Sequence, residues 1–352
     1  MKIAALIPAY QPDEKLITLL EELSANTEYS IFVIDDGSKE ECAPIFAEAK
    51  RFATVLVHEV NRGKGAALKT GISYIMENTD CEGIVTLDSD GQHTVKDTNR
   101  TVDALEQNPS ALIVGGRLFS GKVPLRSKFG NTVTRGVFKL STGVSVRDTQ
   151  TGLRAFSREH MPLMAALKGD RYEYEMNVLL ECTEKSIQIV EIPIETIYIE
   201  ENKSSHFNPL KDSWKIYKLI IKFGAPTLLL FIASSLLSFA IDFLLYALFT
   251  NFFKGDHNVW ICNILARTIS ATVNYWLNKL IVFKKKGKTA QTFLAYCLLA
   301  VGVLVGNTLL LQVLVNCAHM NPYGAKLLVE FIMFFISWFV QRFLIFKKKK
   351  TV

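Results

Sequence analysis

Hydrophobic positions follow two patterns along the chain, and the change falls near residue 213. Before it, short apolar and β-branched runs alternate with amphipathic segments. Ile3–Ile7 predicts a strand, Asp13–Ser24 a helix, and Ser30–Ile34 a second strand ending in Asp35-Asp36-Gly37-Ser38. A helix over Glu41–Arg51, a strand over Thr54–His58, a helix over Ala66–Asn78 and a strand over Gly83–Leu87 follow. Strand–helix alternation predicts a three-layer α/β domain with a mostly parallel sheet. Such sheets bind ligands at the carboxyl ends of their strands. The polar clusters fall there, after Ile7, Ile34 and Leu87.

Beyond residue 213 the pattern turns to long apolar stretches: Gly224–Phe249, Val259–Phe283, Ala290–Cys317 and Tyr323–Phe346. Each reaches the ~20 residues that a hydrocarbon core ~30 Å thick requires. Lys215, Lys218 and Lys222 precede the first stretch, Lys284, Lys285, Lys286 and Lys288 separate the second from the third, and Lys347–Lys350 follow the fourth. The opposite loops carry only Lys254 and Lys326. The excess of lysine places both termini and the first domain in the cytoplasm of a multi-pass membrane protein. Trp214, Tyr217, Ile220 and Ile221, interleaved with Lys215, Lys218 and Lys222, predict an amphipathic helix on the membrane surface. The expected organisation is thus an α/β domain over residues 1–210, an interfacial helix over 211–223 and an all-α four-helix transmembrane domain over 224–350.

A repeat runs through the apolar half. Asn278-Lys279-Leu280-Ile281-Val282-Phe283-Lys284 matches Gln341-Arg342-Phe343-Leu344-Ile345-Phe346-Lys347 at an offset of 63, which also superposes Arg267 on Glu330. Two copies of a helical hairpin are expected. Asp242, Arg267 and Glu330 lie within the spans. Charge in a bilayer is costly unless paired, so these groups are expected to face the bundle interior. Arg267 would pair with Glu330 or with Asp242, or the three would line a polar path.

Composition sharpens this division. The chain has 352 residues, 49% of them hydrophobic, and a net charge of +6. Up to Ser213 there are 24 Lys and Arg against 31 Asp and Glu, and from Trp214 onward 16 against 3. An acidic soluble half on a basic membrane half needs no nucleic acid to explain its charge. The six cysteines are scattered, without a C-x-x-C pair or neighbouring histidines, which excludes a zinc site or disulfide framework. Pro8 interrupts the first apolar run too early for a signal peptide, in keeping with a cytoplasmic first domain.

The chemistry gathers at Leu87-Asp88-Ser89-Asp90-Gly91-Gln92-His93. Two aspartates with one residue between them at a strand end can hold a hard divalent cation together with phosphate oxygens. Asp90 would ligate the metal, Gln92 would add an oxygen, and Asp88 would hold the metal or a ribose. Ile7-Pro8-Ala9-Tyr10 and Asp35-Asp36-Gly37-Ser38 supply the walls of a nucleotide pocket.

With Asn61-Arg62-Gly63-Lys64-Gly65-Ala66-Ala67, these motifs resemble family-2 glycosyltransferases with the GT-A (Rossmann-like) fold. The similarity is closest to the polyprenyl-phosphate, dolichol-phosphate mannose synthase-like type. It covers essentially the whole first half. The resemblance implies a nucleotide-binding set of Pro8, Ala9, Tyr10, Asp35, Asp36 and Asp88, and a Mg²⁺ or Mn²⁺ site at Asp88, Asp90 and Gln92. It implies phosphate or acceptor binding by Arg117, from Gly115-Gly116-Arg117, and by Arg126 and Arg135. Arginine's planar fork suits phosphate. With Lys128, these residues also fit an interfacial helix facing anionic headgroups, Leu125, Phe129, Val133 and Val137 giving it an apolar face. Asp88, Asp90, Arg117 and Arg126 are the expected catalytic residues. Asn202-Lys203-Ser204-Ser205-His206-Phe207 resembles the family's phosphate-closing loop, with Lys203 and His206 where the family has an Arg/Lys pair.

Asp148-Thr149-Gln150-Thr151-Gly152-Leu153-Arg154 and Tyr172-Glu173-Tyr174-Glu175-Met176 are similar to the family's acceptor side. Glu175 or Asp148 is available as a base, although a phosphate monoester with a second pKa of about 6 needs none. Lys64 fits no Walker A spacing and reads as a solvated loop residue. The second half resembles the GtrA-like four-span proteins. The implied reaction is inverting transfer from a UDP- or GDP-sugar to a polyprenyl phosphate, undecaprenyl phosphate being the expected acceptor, for cell-envelope glycosylation. A processive polysaccharide synthase would carry a Q-x-x-R-W motif, which is absent. A lipid-sugar flippase with a vestigial transferase domain would not need the intact aspartate centre. The sequence leaves oligomeric state open.

Overall fold

The computed structural model describes residues 1–117, 125–195, 211–252, 259–285 and 287–346. The chain divides into two compact units, Met1–Phe223 and Gly224–Lys349.

In the first unit the strands are β1 (Ile3–Ala9), β2 (Ser30–Asp35), β3 (Thr54–Val57), β4 (Gly83–Thr86), β5 (Ala111–Arg117), β6 (Arg154–Ser157) and β7 (Gln188–Ile194). They form one sheet in the order β3-β2-β1-β4-β6-β5-β7. All neighbours are parallel except β6, which runs antiparallel to β4 and β5. The helices are α1 (Lys15–Asn26), α2 (Ala43–Ala49), α3 (Lys64–Asn78), α4 (Val95–Gln107), α5 (Leu125–Thr142), α6 (Met161–Ala166) and α7 (Glu173–Lys185). Every residue of β1 is buried, and alternate residues serve opposite faces of the sheet. Ala4 and Leu6 join one apolar cluster with α3 and α7, while Ile3, Ala5 and Ile7 join the other with α1 and α4. The predicted mostly parallel, three-layer arrangement is therefore present.

Register decides where the polar loops emerge. Ala9 lies opposite Asp35, and Leu6 opposite Thr86, so the carboxyl ends of β1, β2 and β4 open at one edge. Asp36 N–H donates to the Ala9 carbonyl at 2.8 Å and Leu87 N–H to Leu6 at 3.1 Å, which carries the parallel pairing one step beyond each strand.

A 42-residue helix, α8 (Lys211–Phe252), follows. Its first turns put Ile216 and Ile220 into the apolar cluster of the first unit, where both are buried. Thr134 Oγ1 donates to Tyr217 Oη at 3.3 Å, whereas Trp214 and Ile221 are exposed. The amphipathic segment read from sequence thus has one face packed into its own unit and another left open.

The second unit contains the rest of α8 with α9 (Val259–Leu277), α10 (Thr289–Gln312) and α11 (Pro322–Val340). Each of the last three continues into a π-helical turn, Asn278–Val282, Val313–Cys317 and Gln341–Ile345. Among the described residues, three helices are long and apolar enough to cross a membrane: Trp214–Phe252, Thr289–Asn307 and Leu328–Ile345. The second expected span is helical from Val259 through Val282 but is not one of those three.

The repeat has a structural counterpart. Asn278 Nδ2 donates to Gln341 Oε1 at 2.9 Å, and Phe283 stacks on Phe346 with centroids 5.2 Å apart. In both contacts a residue meets its own repeat equivalent, as residues beside a twofold axis do. Ser234 Oγ also donates to Asn278 Oδ1 at 2.6 Å, and Asn278 Nδ2 to Asn274 Oδ1 at 2.8 Å, so the buried amide is fully engaged. Replacing Asn278 by Leu is expected to cost about 1–3 kcal/mol, because buried partners lose their hydrogen bonds. Replacing Gln341 as well should cost less than the sum. Thermal melts of the four corners of this cycle in detergent check it, and strict additivity would contradict the coupling.

Of the two partners expected for Arg267, the structure has Asp242, at 3.2 Å, and Ser270 Oγ donates to the other Asp242 oxygen at 2.9 Å. Glu330 accepts from Asn307 Nδ2 at 3.2 Å. The Arg267 side chain is 72% exposed rather than turned inward. The reason is helical spacing: Cys262, Ala266 and Ser270 form the buried stripe, and Arg267 lies one position off it.

Candidate functional site

A cavity of about 510 Å³ opens at the carboxyl ends of β1, β2 and β4. Its lining comes from the loops after those strands, Pro8–Asp13, Asp36 and Asp88–Asp90, together with Asn61, Gly63, Lys64, Arg171 and Tyr172. Of the residues expected from sequence, it gathers Pro8, Ala9, Tyr10, Asp36, Asp88 and Asp90.

Asp36 builds one wall. Its carboxylate accepts from Asn61 Nδ2 (3.1 Å) and from the backbone amides of Arg62 (2.9 Å) and Gly63 (2.7 Å), and lies 2.8 Å from His58 Nδ1. One buried side chain therefore ties β2 to the loop that leads into α3. Gly63 belongs to this turn because its φ is +104° and a Cβ there would lie 2.3 Å from the Asp170 carbonyl. Asp35 is not among the lining residues. Its carboxylate caps the loop that follows β2 by accepting from Ser38 N–H at 2.8 Å.

Lys64 is the residue that the sequence reading missed. Its ammonium bridges Asp88 Oδ1 and Glu175 Oε1, both at 2.6 Å, and its side chain is 19% exposed. Burial pulls its pKa down, but Asp88 and Glu175 outweigh that and hold the ammonium above its ordinary range. Burial likewise opposes the Asp88 charge, yet Lys64 and His93 keep that carboxyl well below the usual range. His93 Nε2 lies 3.4 Å from Asp88 Oδ2. Asp90 goes the other way, pushed up by burial first and by the Asp88 charge second. Glu175 is also raised, mainly by burial, with Lys64 and Arg154 opposing. It is not the solvated helix start that its position suggested.

Arg154 explains how Glu175 reaches the site. Its buried guanidinium donates to the carbonyls of Thr149, Thr151 and Glu175, fixing the start of α7 against the 149–151 loop. Gly152, on the same loop, packs directly against the aspartate centre: a Cβ there would meet the Asp88 carboxylate at 2.3–2.5 Å. Gly152→Ala is therefore expected to push Asp88 off Lys64. A displacement on the order of 1 Å at a reacting centre costs ~10²-fold in rate. Turnover of the purified variant checks this, and wild-type turnover would contradict it.

Arg117, at the end of β5, makes a two-pronged ion pair with Asp148 through Nε and Nη2. Asp148 is fully buried and therefore unsuited to act as a base. Neither residue lines the cavity. Gln92 contributes its backbone N–H to Asp90 Oδ1 at 3.1 Å. Arg135 is exposed on α5. The Arg126 side chain, Lys203 and His206 lie outside the described residues.

The donor set has room for a hard cation. Asp88 and Asp90 share one wall, where burial first and the Asp88 charge second hold the Asp90 carboxyl above its ordinary range. Among the described residues no cluster of three or more His, Cys, Asp or Glu is assembled. A pair of carboxylates of this kind suits a hard cation whose remaining ligands are water and phosphate.

Comparison with known proteins gives this cavity a family. Residues 4–161 match the family described as glycosyl transferase family 2, and residues 230–346 match the GtrA/DPMS transmembrane domain. An uncharacterized protein of Methanocaldococcus jannaschii is 31% identical over 226 residues, covering 63% of this chain and 92% of that one. The UDP-N-acetylglucosamine–dolichyl-phosphate N-acetylglucosaminyltransferase of Methanococcus voltae is 28% identical over 239 residues, covering 62% and 95%. Among solved structures, a mycobacterial protein aligns with a TM-score of 0.50 at 16% identity, covering 64% of this chain and 75% of that one. That likeness bears on fold alone, and the fold is the expected GT-A type. The chain belongs to glycosyl transferase family 2 and is a membrane glycosyltransferase whose α/β domain is followed by a GtrA/DPMS transmembrane domain.

Proposed function

We propose that the protein moves one sugar from a nucleoside diphosphate donor, UDP- or GDP-linked, to the phosphate of a polyprenyl lipid, undecaprenyl phosphate being the expected acceptor. The observation that carries this reading is the Asp88/Asp90/Lys64 cluster in a cavity walled by Asp36 and Tyr10. The similarity to the Methanococcus dolichyl-phosphate transferase supports the acceptor class. The lysine bias of the loops supports a cytoplasmic catalytic domain and cytoplasmic termini.

In the proposed reaction a phosphate oxygen of the lipid attacks the anomeric carbon. The bond from that carbon to the donor diphosphate breaks, the nucleoside diphosphate leaves with the electron pair, and the centre inverts. The acceptor is already largely anionic at neutral pH, so no side chain has to remove a proton. Pro8, Ala9, Tyr10 and Asp36 shape the nucleoside end. Lys64 holds a fixed positive charge where charge develops on the leaving group. Glu175 positions that ammonium, and Arg154 positions Glu175. Asp88 and Asp90 would hold Mg²⁺ or Mn²⁺, which when bound offsets diphosphate charge. Arg117 ties the end of β5 to Asp148, and its contact with phosphate depends on release from that pair. Arg126, Arg135, Lys203 and His206 remain proposed acceptor-side cations.

The test is a panel of radiolabelled UDP- and GDP-sugars offered to the full chain with undecaprenyl phosphate. Label passing into organic solvent for one donor, and stopped by a chelator, is the expected result. Label in an insoluble polymer would support a processive synthase instead. No transfer with any donor would overturn the proposal.

A further inference from the structure

The Leu87–His93 motif ends on a histidine to which the proposed reaction gives no task. His93 is 5% exposed, and neither of its ring nitrogens has a hydrogen-bond partner among the described residues. The other two buried histidines among those residues are engaged. His58 lies 2.8 Å from Asp36 Oδ1 and 3.0 Å from Thr70 Oγ1, and His160 Nε2 lies 3.1 Å from the Ser110 carbonyl. Buried polar groups are hydrogen-bonded as a rule, so a histidine kept otherwise calls for a reason beyond the fold.

The acceptor within reach is the first aspartate of the same motif. His93 Nε2 lies 3.4 Å from Asp88 Oδ2, while Lys64 Nζ holds Asp88 Oδ1 at 2.6 Å. Two groups thus meet different oxygens of one carboxylate. Gly152 closes a further side, since a Cβ there would lie 2.3–2.5 Å from the Asp88 carboxylate. His93 does not line the cavity, so it meets Asp88 from the protein side. The backbone after it is pinned. Thr94 Oγ1 accepts from Asp97 N–H at 3.1 Å and caps α4, and Asp97 Oδ2 accepts from Glu195 N–H, just past β7, at 2.9 Å.

A carboxylate held at one oxygen can still turn about its Cβ–Cγ bond, and its lone pairs turn with it. Contacts at both oxygens fix its plane. Carboxylates that ligate a metal are commonly oriented by such a second group, whose loss costs ~10–100-fold in metal affinity. Hydrogen bonds of this kind are often long before ligands bind and tighten in the complex. A buried ring without a hydrogen bond adds little to the fold, so an apolar side chain in its place should be tolerated.

We infer that His93 is a positioning residue: with its proton on Nε2 it donates to Asp88 Oδ2 and fixes the plane in which Asp88 faces a divalent cation. This role rests on the metal centre of the proposed function, and on neither the sugar nor the acceptor. His93 itself stays out of the cavity. Loss of the ring therefore weakens metal binding and leaves stability in place, the reverse of what a purely structural histidine would show.

The test is Mn²⁺ binding to the full chain in detergent, read from the EPR signal of free Mn²⁺ with UDP or GDP present. His93→Leu should bind Mn²⁺ ~10–100-fold more weakly than the wild type, while its metal-free melting temperature matches the wild type's. His93→Gln can place an amide N–H near the position of Nε2 and should recover most of the affinity. Should His93→Leu not fold, His93→Asn, whose shorter amide stops short of Asp88, is compared with His93→Gln, and the same gap is expected. Mn²⁺ bound to the wild type should show no hyperfine coupling to a directly bonded imidazole nitrogen. Such a coupling would make His93 a ligand and overturn the positioning role. Wild-type affinity in His93→Leu, or no recovery in His93→Gln, would overturn it too. No Mn²⁺ binding by the wild type with either nucleotide would instead overturn the proposed metal centre, and the role of His93 with it.

Discussion

Replacing Lys64 by Met should both unfold the protein more readily and stop transfer. The substitution leaves Asp88 and Glu175, each 2.6 Å from the missing ammonium, without the cation that bridges them. Removing one partner of a buried ion pair costs ~3–5 kcal/mol. Asp88 keeps 28% of its side chain open to the cavity, which places the expected loss toward the lower end. Pairing Lys64→Met with Glu175→Gln should restore much of the stability, because the uncompensated buried carboxylate is gone. It should not restore transfer, because the positive charge facing the donor diphosphate is still missing. Thermal melts and turnover measured on both variants separate the two effects. A single variant with unchanged melting temperature and turnover would show that Lys64 is the solvated loop residue its local sequence suggests.

Asp90→Asn should show the opposite separation, with activity lost and stability kept or raised. Burial and the neighbouring Asp88 charge hold the Asp90 carboxyl above its ordinary range, so ionised Asp90 destabilises the fold at neutral pH. Asparagine removes that strain but cannot replace a carboxylate beside a divalent cation. Electrostatic groups at a developing charge are worth ~10²–10³ in rate, and a loss of that size is expected. Turnover across a Mn²⁺ or Mg²⁺ titration, with a melt in the same buffer, checks both halves. Wild-type turnover at limiting metal would remove Asp90 from the proposed centre.

Aspartates at a strand end are visible because hydrophobic alternation locates the strand and residue type does the rest. Pro8, Tyr10, Asp36, Asp88 and Asp90 were legible for that reason. Lys64 was not, because its partners lie on another strand end and on α7, and only sheet order brings Asp88 and Glu175 to it. The local hint was the pair of glycines around it, since Gly63 and Gly65 both sit where a Cβ would strike the 169–174 segment. Arg117 shows the converse. Its chemistry suits phosphate, but its fork is engaged by Asp148, a pairing that spacing along the chain does not reveal. In the membrane half the repeat was readable from residue identities, and its equivalents touch. The direction of Arg267 was misread because one position of helical phase separates the buried stripe from the exposed face.

If the cavity at Asp88 and Asp90 places a single sugar on a lipid phosphate, the lipid gains the mass of one sugar residue and no more. Mass spectrometry of the lipid after incubation with the preferred donor reads that mass. One new species is expected, heavier than the polyprenyl phosphate by one sugar residue, formed by the wild type and absent with Asp90→Asn. A ladder of sugar additions, or unchanged lipid beside consumed donor, would contradict it.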